Sequence, residues 1–294
     1  MKKYTICKIL LVILAIFLCV AFYELLGICV AYKKQPEVSN TTKKETKNGS
    51  WNECSENTER AVIIEKNPEA LLQRVRLIKN AKKEIILSTF AFQSDESGKL
   101  ILGALHDAAD RGVHIRLLVD GMESWIDMEG NPYFYGLSSH ENVEIKLYNK
   151  ANPLKPWKMM GRMHDKYLIA DGKTYILGGR NTYNYFLGDF PGHKNYDRDV
   201  LVVCDEPEKE NSVNQLLEYF ETIWEQEDSG YFHDNKKLAN RKSVKNAVLE
   251  LQNGYQKYFE ENKERICDTD YTDETFETEK IALVSNPIHT GSKE

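Results

Sequence analysis

The strongest pattern along the chain is Ile9–Tyr32, 24 residues uncharged everywhere except Glu24. Wound as a helix this run measures ~36 Å, enough to cross a hydrocarbon core of ~30 Å. Lys2, Lys3 and Lys8 precede it. No A-x-A cleavage pattern follows, and the apolar run resumes beyond Glu24 as Leu25–Ala31. Neither Cys19 nor Cys29 has a small residue just before it. The pattern therefore predicts an uncleaved membrane anchor over residues 1–34 rather than a signal peptide. Glu24 is expected near the interface, where its carboxylate reaches headgroups. The N-terminal cations favour an inside N-terminus and an extracytoplasmic C-terminal domain, with Lys33 and Lys34 pulling the other way.

Residues 35–59 are polar and read as a tether. Beyond them the hydrophobic period alternates. Leu71, Leu72, Val75, Leu77 and Ile78 give helical spacing over Pro68–Lys83, followed by a continuous apolar strand, Glu84–Phe92. The pattern continues with a helix at Gly98–Arg111 and strands at Val113–Val119 and Val143–Leu147. Two short apolar runs, Tyr167–Ala170 and Tyr175–Leu177, flank Asp171-Gly172; a strand at Asp199–Val203 follows, then helices at Glu208–Glu227 and Asn235–Ile266. Strands alternating with helices predict an α/β domain, a mixed β-sheet with helices on both faces. Its expected extent is 60–230, with 231–279 a helical and acidic connector whose stretch Asp268–Glu279 is exposed.

Asp-Gly between apolar runs is a two-residue hairpin signal. In that register Lys166 faces Leu177 and His164 faces Gly179. His164 and Lys166, two apart, share a strand face. Gly178 and Gly179 leave room for a phosphate, and the Asn181 amide can donate to it. A neutral imidazole can attack phosphorus and form a phosphohistidine, with protonated Lys166 stabilising the equatorial oxygens. This chemistry needs no metal and no cofactor, and no second His or Cys sits nearby at zinc-ligand spacing.

The stretch His164–Asp171 with Gly178-Gly179-Arg180-Asn181 reads H-x-K-x4-D-x6-G-G-x-N. It resembles the HKD motif of the phospholipase D superfamily. The resemblance extends over Ala81–Phe90, Leu105–Asp120 and Arg198–Val202, and so from about Glu59 to Glu225. It implies the phospholipase D-like fold, with His164 as nucleophile, Lys166 and Asn181 as phosphate ligands and Asp171 as a supporting residue. An acid after the motif orients a catalytic histidine in this family; Asp199 is the candidate, with Asp197 beside it. Many members carry Gly-Ser where this chain has Gly178-Gly179, so backbone N–H groups would replace a hydroxyl ligand. Gly-Gly is frequent in the cardiolipin synthase-like branch, which points to lipid chemistry.

Family enzymes pair two such histidines, one as nucleophile and one as general acid. Of seven histidines here only His164 has Lys two residues later. Either two chains pair about a two-fold axis, as single-motif nucleases do, or the chain is the front part of a two-motif enzyme. The second is expected, because Lys280–Ile288 within 280–294 reads as the opening strand of another half and echoes Arg60–Pro68.

Charge sharpens the substrate class. Net charge is −6, and residues 1–34 hold five Lys and one Glu, leaving −10 for the remainder. An acidic domain is a poor non-specific nucleic-acid binder. Just before the motif, Lys155, Lys158 and Arg162, with Lys150, Trp157, Met159 and Met160, offer an amphipathic cationic rim for a phospholipid headgroup; a solvated loop is the alternative. The expected protein is a membrane-anchored phosphatidyltransferase or phospholipase D-like enzyme, cardiolipin synthase-like. Its partners are phospholipid, the membrane and a second HKD half. The alternative is a homodimeric single-HKD phosphodiesterase or nuclease. The six cysteines show no framework spacing, and no disulfide is expected.

Overall fold

The computed structural model describes residues 2–33, 40, 43–44, 59–158, 161–204, 211–233, 237–279 and 281–285. They fall into two units. The tether, Met159, Met160 and residues 286–294 lie wholly or largely outside the described residues.

The first unit contains the N-terminal helix α1 (Lys2–Lys33) and the segment Ala151–Arg162. Its stretch Tyr4–Val30, 27 residues with a mean hydropathy of 2.9, is long and apolar enough to cross a membrane. Gly27 lets the 3-10 turn Pro156–Lys158 approach: a Cβ there would lie 2.3 Å from Pro156 Cγ. Tyr23 Oη donates to the Leu154 carbonyl at 2.9 Å within the same unit.

The second unit is built on one nine-stranded sheet. Its strands are β1 (Glu59–Ile64), β2 (Glu84–Thr89), β3 (His114–Asp120), β4 (Val143–Tyr148), β5 (Lys166–Ala170), β6 (Thr174–Gly178), β7 (Asp199–Cys204), β8 (Ser229–Tyr231) and β9 (Phe276–Thr278). Their spatial order is β8-β4-β3-β2-β5-β6-β7-β1-β9. The pairs β2–β3 and β3–β4 are parallel; the other six pairs are antiparallel.

Alternation along these strands makes two faces. One row reads Ile145, Leu117, Leu87, Leu168, Ile176, Leu201 from β4 to β7, all buried. The same core holds α2 (Asn67–Asn80) through Leu71, Val75 and Ile78, and α3 (Glu96–Asp110) through Ile101, Leu102 and Leu105. The opposite face carries α6 (Ser212–Trp224): Arg116 stacks on the Phe220 ring at 4.8 Å, and Tyr175 Oη meets Ser212 Oγ at 2.8 Å. Helices therefore cover both faces of the mixed sheet, as expected.

Several local expectations change. Two short helices went unread, α4 (Gly121–Asp127) and α5 (Pro132–Ser138). Each spans 7 residues, too few for a periodicity to register, and each starts on a capping side chain, Asp120 or Asn131. The long C-terminal helix is broken into α7 (Lys242–Glu261) and α8 (Lys263–Cys267) at Asn262, whose φ of −123° is non-helical.

The acidic stretch is exposed along most of its length, as expected, and is tied to the domain. Arg76 donates to the Asp268 and Asp270 carbonyls and pairs with Glu274 at 2.8 Å, Arg60 donates to Thr272 and Thr275, and β9 extends the sheet beyond β1. The expected boundary at residue 230 thus falls inside a single unit. Of the expected strand Lys280–Ile288, Ile281–Ser285 is irregular, and Lys280 and residues 286–288 lie outside the described residues.

Candidate active site

The motif is aimed by contacts on both sides of it. Asp120 caps α4 by accepting from Met122 and Glu123 N–H, and its other oxygen accepts from Met163 N–H at 3.1 Å. That fixes the backbone immediately before His164. Strand β5 then starts at Lys166, whose Nζ donates to the His164 carbonyl at 2.7 Å. The exposed His164 ring lies edge-on to Phe90, centroids 4.7 Å apart, and Lys166 Nζ lies 5.3 Å from the same ring. Phe90 follows Thr89, the residue paired with Lys166 across β2–β5. One aromatic ring thus anchors both the imidazole and, through its negative face, the ammonium.

Burial pushes the Lys166 ammonium down to about 8, against the pull of Asp165 and Asp197. Its charge is retained at neutral pH with little margin.

The hairpin register also differs by one residue. Asp171 and Gly172 both take positive φ, 55° and 63°, and Lys173 N–H donates to the Ala170 carbonyl, as the expected turn requires. Yet Ala170 pairs with Thr174 and Tyr167 with Leu177. Lys173 is an extra, bulged residue, held by Cys204 N–H donating to its carbonyl. Continuing this register sets Lys166 opposite Gly178 rather than Leu177, and Gly178 is paired with Asp199.

The room left by the glycines is taken by acids. A Cβ on Gly178 would stand 2.1 Å from Asp199 Oδ1, and one on Gly179 would stand 2.1 Å from Asp197 Oδ2. Gly179 N–H donates to the Arg198 carbonyl at 3.1 Å, so this group is already engaged within the fold. The expectation that both glycines open space for phosphate is replaced by close approach of two carboxylates.

Asp199 is buried and accepts on Oδ2 from Arg74 at 2.9 Å and Arg180 at 3.2 Å. Burial raises its carboxyl, but the two guanidiniums outweigh that and hold it below the ordinary value. Arg180 also donates to Asn67 and to the Ile64 and Glu65 carbonyls, tying the motif to the β1–α2 junction. Asn181 accepts from Ala91 N–H at 3.2 Å through Oδ1, which leaves its amide nitrogen to donate. Asp171 lies at the opposite end of β5 from His164, where its carboxylate accepts from Lys82, Lys83 and Glu84 N–H at 2.7–3.0 Å. It clamps the hairpin to the α2–β2 connection. Lys155, Lys158 and Arg162 belong to the other unit.

A pocket of about 250 Å³ adjoins the motif, lined by His164, Asp165, Lys166, Leu216, Tyr219 and Leu283 among others. Tyr219 Oη donates to Asp165 Oδ2 at 2.9 Å. Sequence reasoning missed Asp165 and Tyr219, as it missed Phe90, Asp120, Arg74 and Arg180 as partners. Asp165 and Arg180 were legible, since both sit inside the motif; the others depend on contacts across 43 to 125 residues of chain.

A profile described as "Cardiolipin synthase, PLD-like domain" matches residues 74–224. An uncharacterized protein of Helicobacter pylori strain J99 is 30% identical over 212 residues, covering 67% of this chain and 39% of the relative. Cardiolipin synthase C of Escherichia coli is 29% identical over 171 residues, covering 53% of this chain and 34% of the relative. Among solved structures, NucT from Helicobacter pylori is similar at a TM-score of 0.47 and 18% identity, covering 59% of this chain and 99% of that one. The chain is a member of the phospholipase D superfamily, with a PLD-like domain of the cardiolipin synthase family. The matched region spans under two-fifths of the length of these two curated relatives.

Proposed function

We propose that the chain is a membrane-anchored phosphatidyl-transferring or phosphatidyl-hydrolysing enzyme, cardiolipin synthase-like, that works through a phosphohistidine on His164. The carrying observation is the convergence of the His164 imidazole and the Lys166 ammonium on Phe90 at the mouth of a pocket. Attack by the imidazole forms a P–N bond as the lipid's P–O bond breaks, and Lys166 holds the negative oxygens during the displacement. Asn181 adds an amide donor. Asp199, fixed by Arg74 and Arg180, is the acid proposed to act on the histidine. The leaving oxygen takes its proton from a second HKD histidine, supplied by a further half or by a second copy of the chain. Lys155, Lys158 and Arg162 are proposed headgroup contacts, and α1 the anchor that brings the domain to its substrate. The acidic balance of the domain argues for lipid over nucleic acid.

The test uses the full chain in vesicles of phosphatidylglycerol labelled at phosphorus. An acid-labile, alkali-stable label on the protein, absent from His164→Ala, is the expected result. Lipid turnover that survives His164→Ala overturns the assignment. Degradation of single-stranded DNA with no phosphatidyl transfer replaces it with the nuclease reading.

A further inference from the structure

A second pocket, of about 430 Å³, is lined from α3, α5 and α7 and shares no lining residue with the one at His164. Its walls are apolar, with Val244, Val248 and Leu249 contributed by α7. Gly136 lets α5 approach α7 beside it, since a Cβ there would stand 2.6 Å from Val248 Cγ2. The polar lining is a pair of imidazoles, His106 and His140, with ring centroids 5.5 Å apart. Asp110 bridges them: Oδ2 lies 3.0 Å from His106 Nδ1, and Oδ1 lies 3.2 Å from His140 Nε2. His140 Nδ1 accepts from Asn142 N–H at 3.1 Å, so its proton sits on Nε2 and both of its nitrogens are engaged. The Asp110 carboxylate only accepts, which fixes a proton on His106 Nδ1. His106 Nε2 is left with no hydrogen-bond partner among the described residues, in a residue that is 7% exposed and lines the pocket. A polar atom so enclosed is short of a partner.

We infer that this pocket binds a small apolar molecule bearing one hydroxyl, which His106 Nε2 holds while Asp110 orients the ring. The inference is independent of the chemistry at His164. A hydroxyl satisfies Nε2 in either state of the ring, since it donates to the neutral imidazole and accepts from the imidazolium. An ammonium is repelled by Lys245, which lines the same pocket. A carboxylate suits only the imidazolium and meets the charge of Asp110 across the ring. Apolar walls with few polar groups, at this volume, match small-molecule sites of ~300–1,000 Å³.

The full chain, held in vesicles and isotopically labelled at its histidine ring nitrogens, is titrated with 2-naphthol, naphthalene and 2-naphthoate, three probes sharing one aromatic body. The His106 Nε2 resonance reads the pocket itself, so probe dissolved in the lipid does not register. Loss of that resonance in His106→Phe assigns it. A saturable shift is expected with 2-naphthol, at about tenfold lower concentration than with naphthalene, as one hydrogen bond allows. Ala239→Trp fills the pocket from a partly exposed wall position, leaves His106 and Asp110 intact, and is expected to abolish the shift. If His106→Phe fails to fold, His106→Gln makes the assignment and Ala239→Trp carries the test. No saturable shift at His106 overturns the inference, as does equal binding of 2-naphthol and naphthalene or tighter binding of 2-naphthoate. A shift that survives Ala239→Trp also overturns it. A His106 resonance that moves with protein concentration alone makes this face a contact between copies of the chain and overturns the small-molecule site.

Discussion

Lys166 Nζ and the carbonyl of His164 are joined by a 2.7 Å hydrogen bond, so the cation of the site is tethered to the backbone of the proposed nucleophile. Burial brings that ammonium down to about 8. The kcat/KM for phosphatidyl transfer is therefore expected to fall as pH rises through about 8, in step with loss of the charge. Lys166→Arg should move that limb upward by more than two pH units, because guanidinium stays charged. A pH–rate profile of both proteins checks this.

The same shift makes Lys166 a cost to the fold. Its folded value lies below the ordinary 10.5, so between about 8 and 10.5 the unfolded chain binds more protons, and stability rises with pH across that window. Lys166→Met is expected to raise the melting temperature at pH 7 while abolishing transfer. Calorimetry alongside the activity assay tests both signs.

Asp199→Ala leaves Arg74 and Arg180 buried without their shared carboxylate. Removing one partner of a buried pair costs ~3–5 kcal/mol. The urea midpoint should fall accordingly, and Arg74→Met made together with Asp199→Ala should recover part of the loss.

Gly178→Ala drives a methyl toward Asp199 Oδ1 and the Arg198 carbonyl, 2.1 and 2.4 Å from the Cβ position. Overpacking of this kind costs ~1–3 kcal/mol. Gly112→Ala makes a useful comparison, since a Cβ there meets nothing within 4 Å and only its φ of +90° opposes it. Denaturant titration of the two separates steric displacement from backbone strain.

Asp171→Ala removes the acceptor for three backbone N–H groups at the start of β2. A loss of ~1–3 kcal/mol is expected, concentrated at the β5–β6 turn. Hydrogen exchange at Lys82, Lys83 and Glu84 should quicken in this variant before any change in the β3–β4 pair.

Much of this could be read along the chain because it is local. The 27-residue apolar stretch of α1 needs only a membrane's thickness to interpret it, and Leu71, Val75 and Ile78 announce one buried helix face. The motif gave His164, Lys166 and the turn at Asp171-Gly172, whose positive φ values follow from those two residue types. What lay beyond reach was decided between distant segments. Lys173 becomes a bulge because Cys204, 31 residues later, donates to its carbonyl, and this one-residue slip puts Gly178, not Leu177, beside Lys166. Asp199 meets Arg74 across 125 residues, and neither carries a local signal of the other. The sequence by itself determined the long apolar helix, the alternation of strand and helix, and the candidate reacting side chains, since each depends on near neighbours and period. Only the tertiary structure decided the register, the charge on Lys166 and the walls of the pocket. Those follow from which distant groups exclude water and which hydrogen bonds they complete.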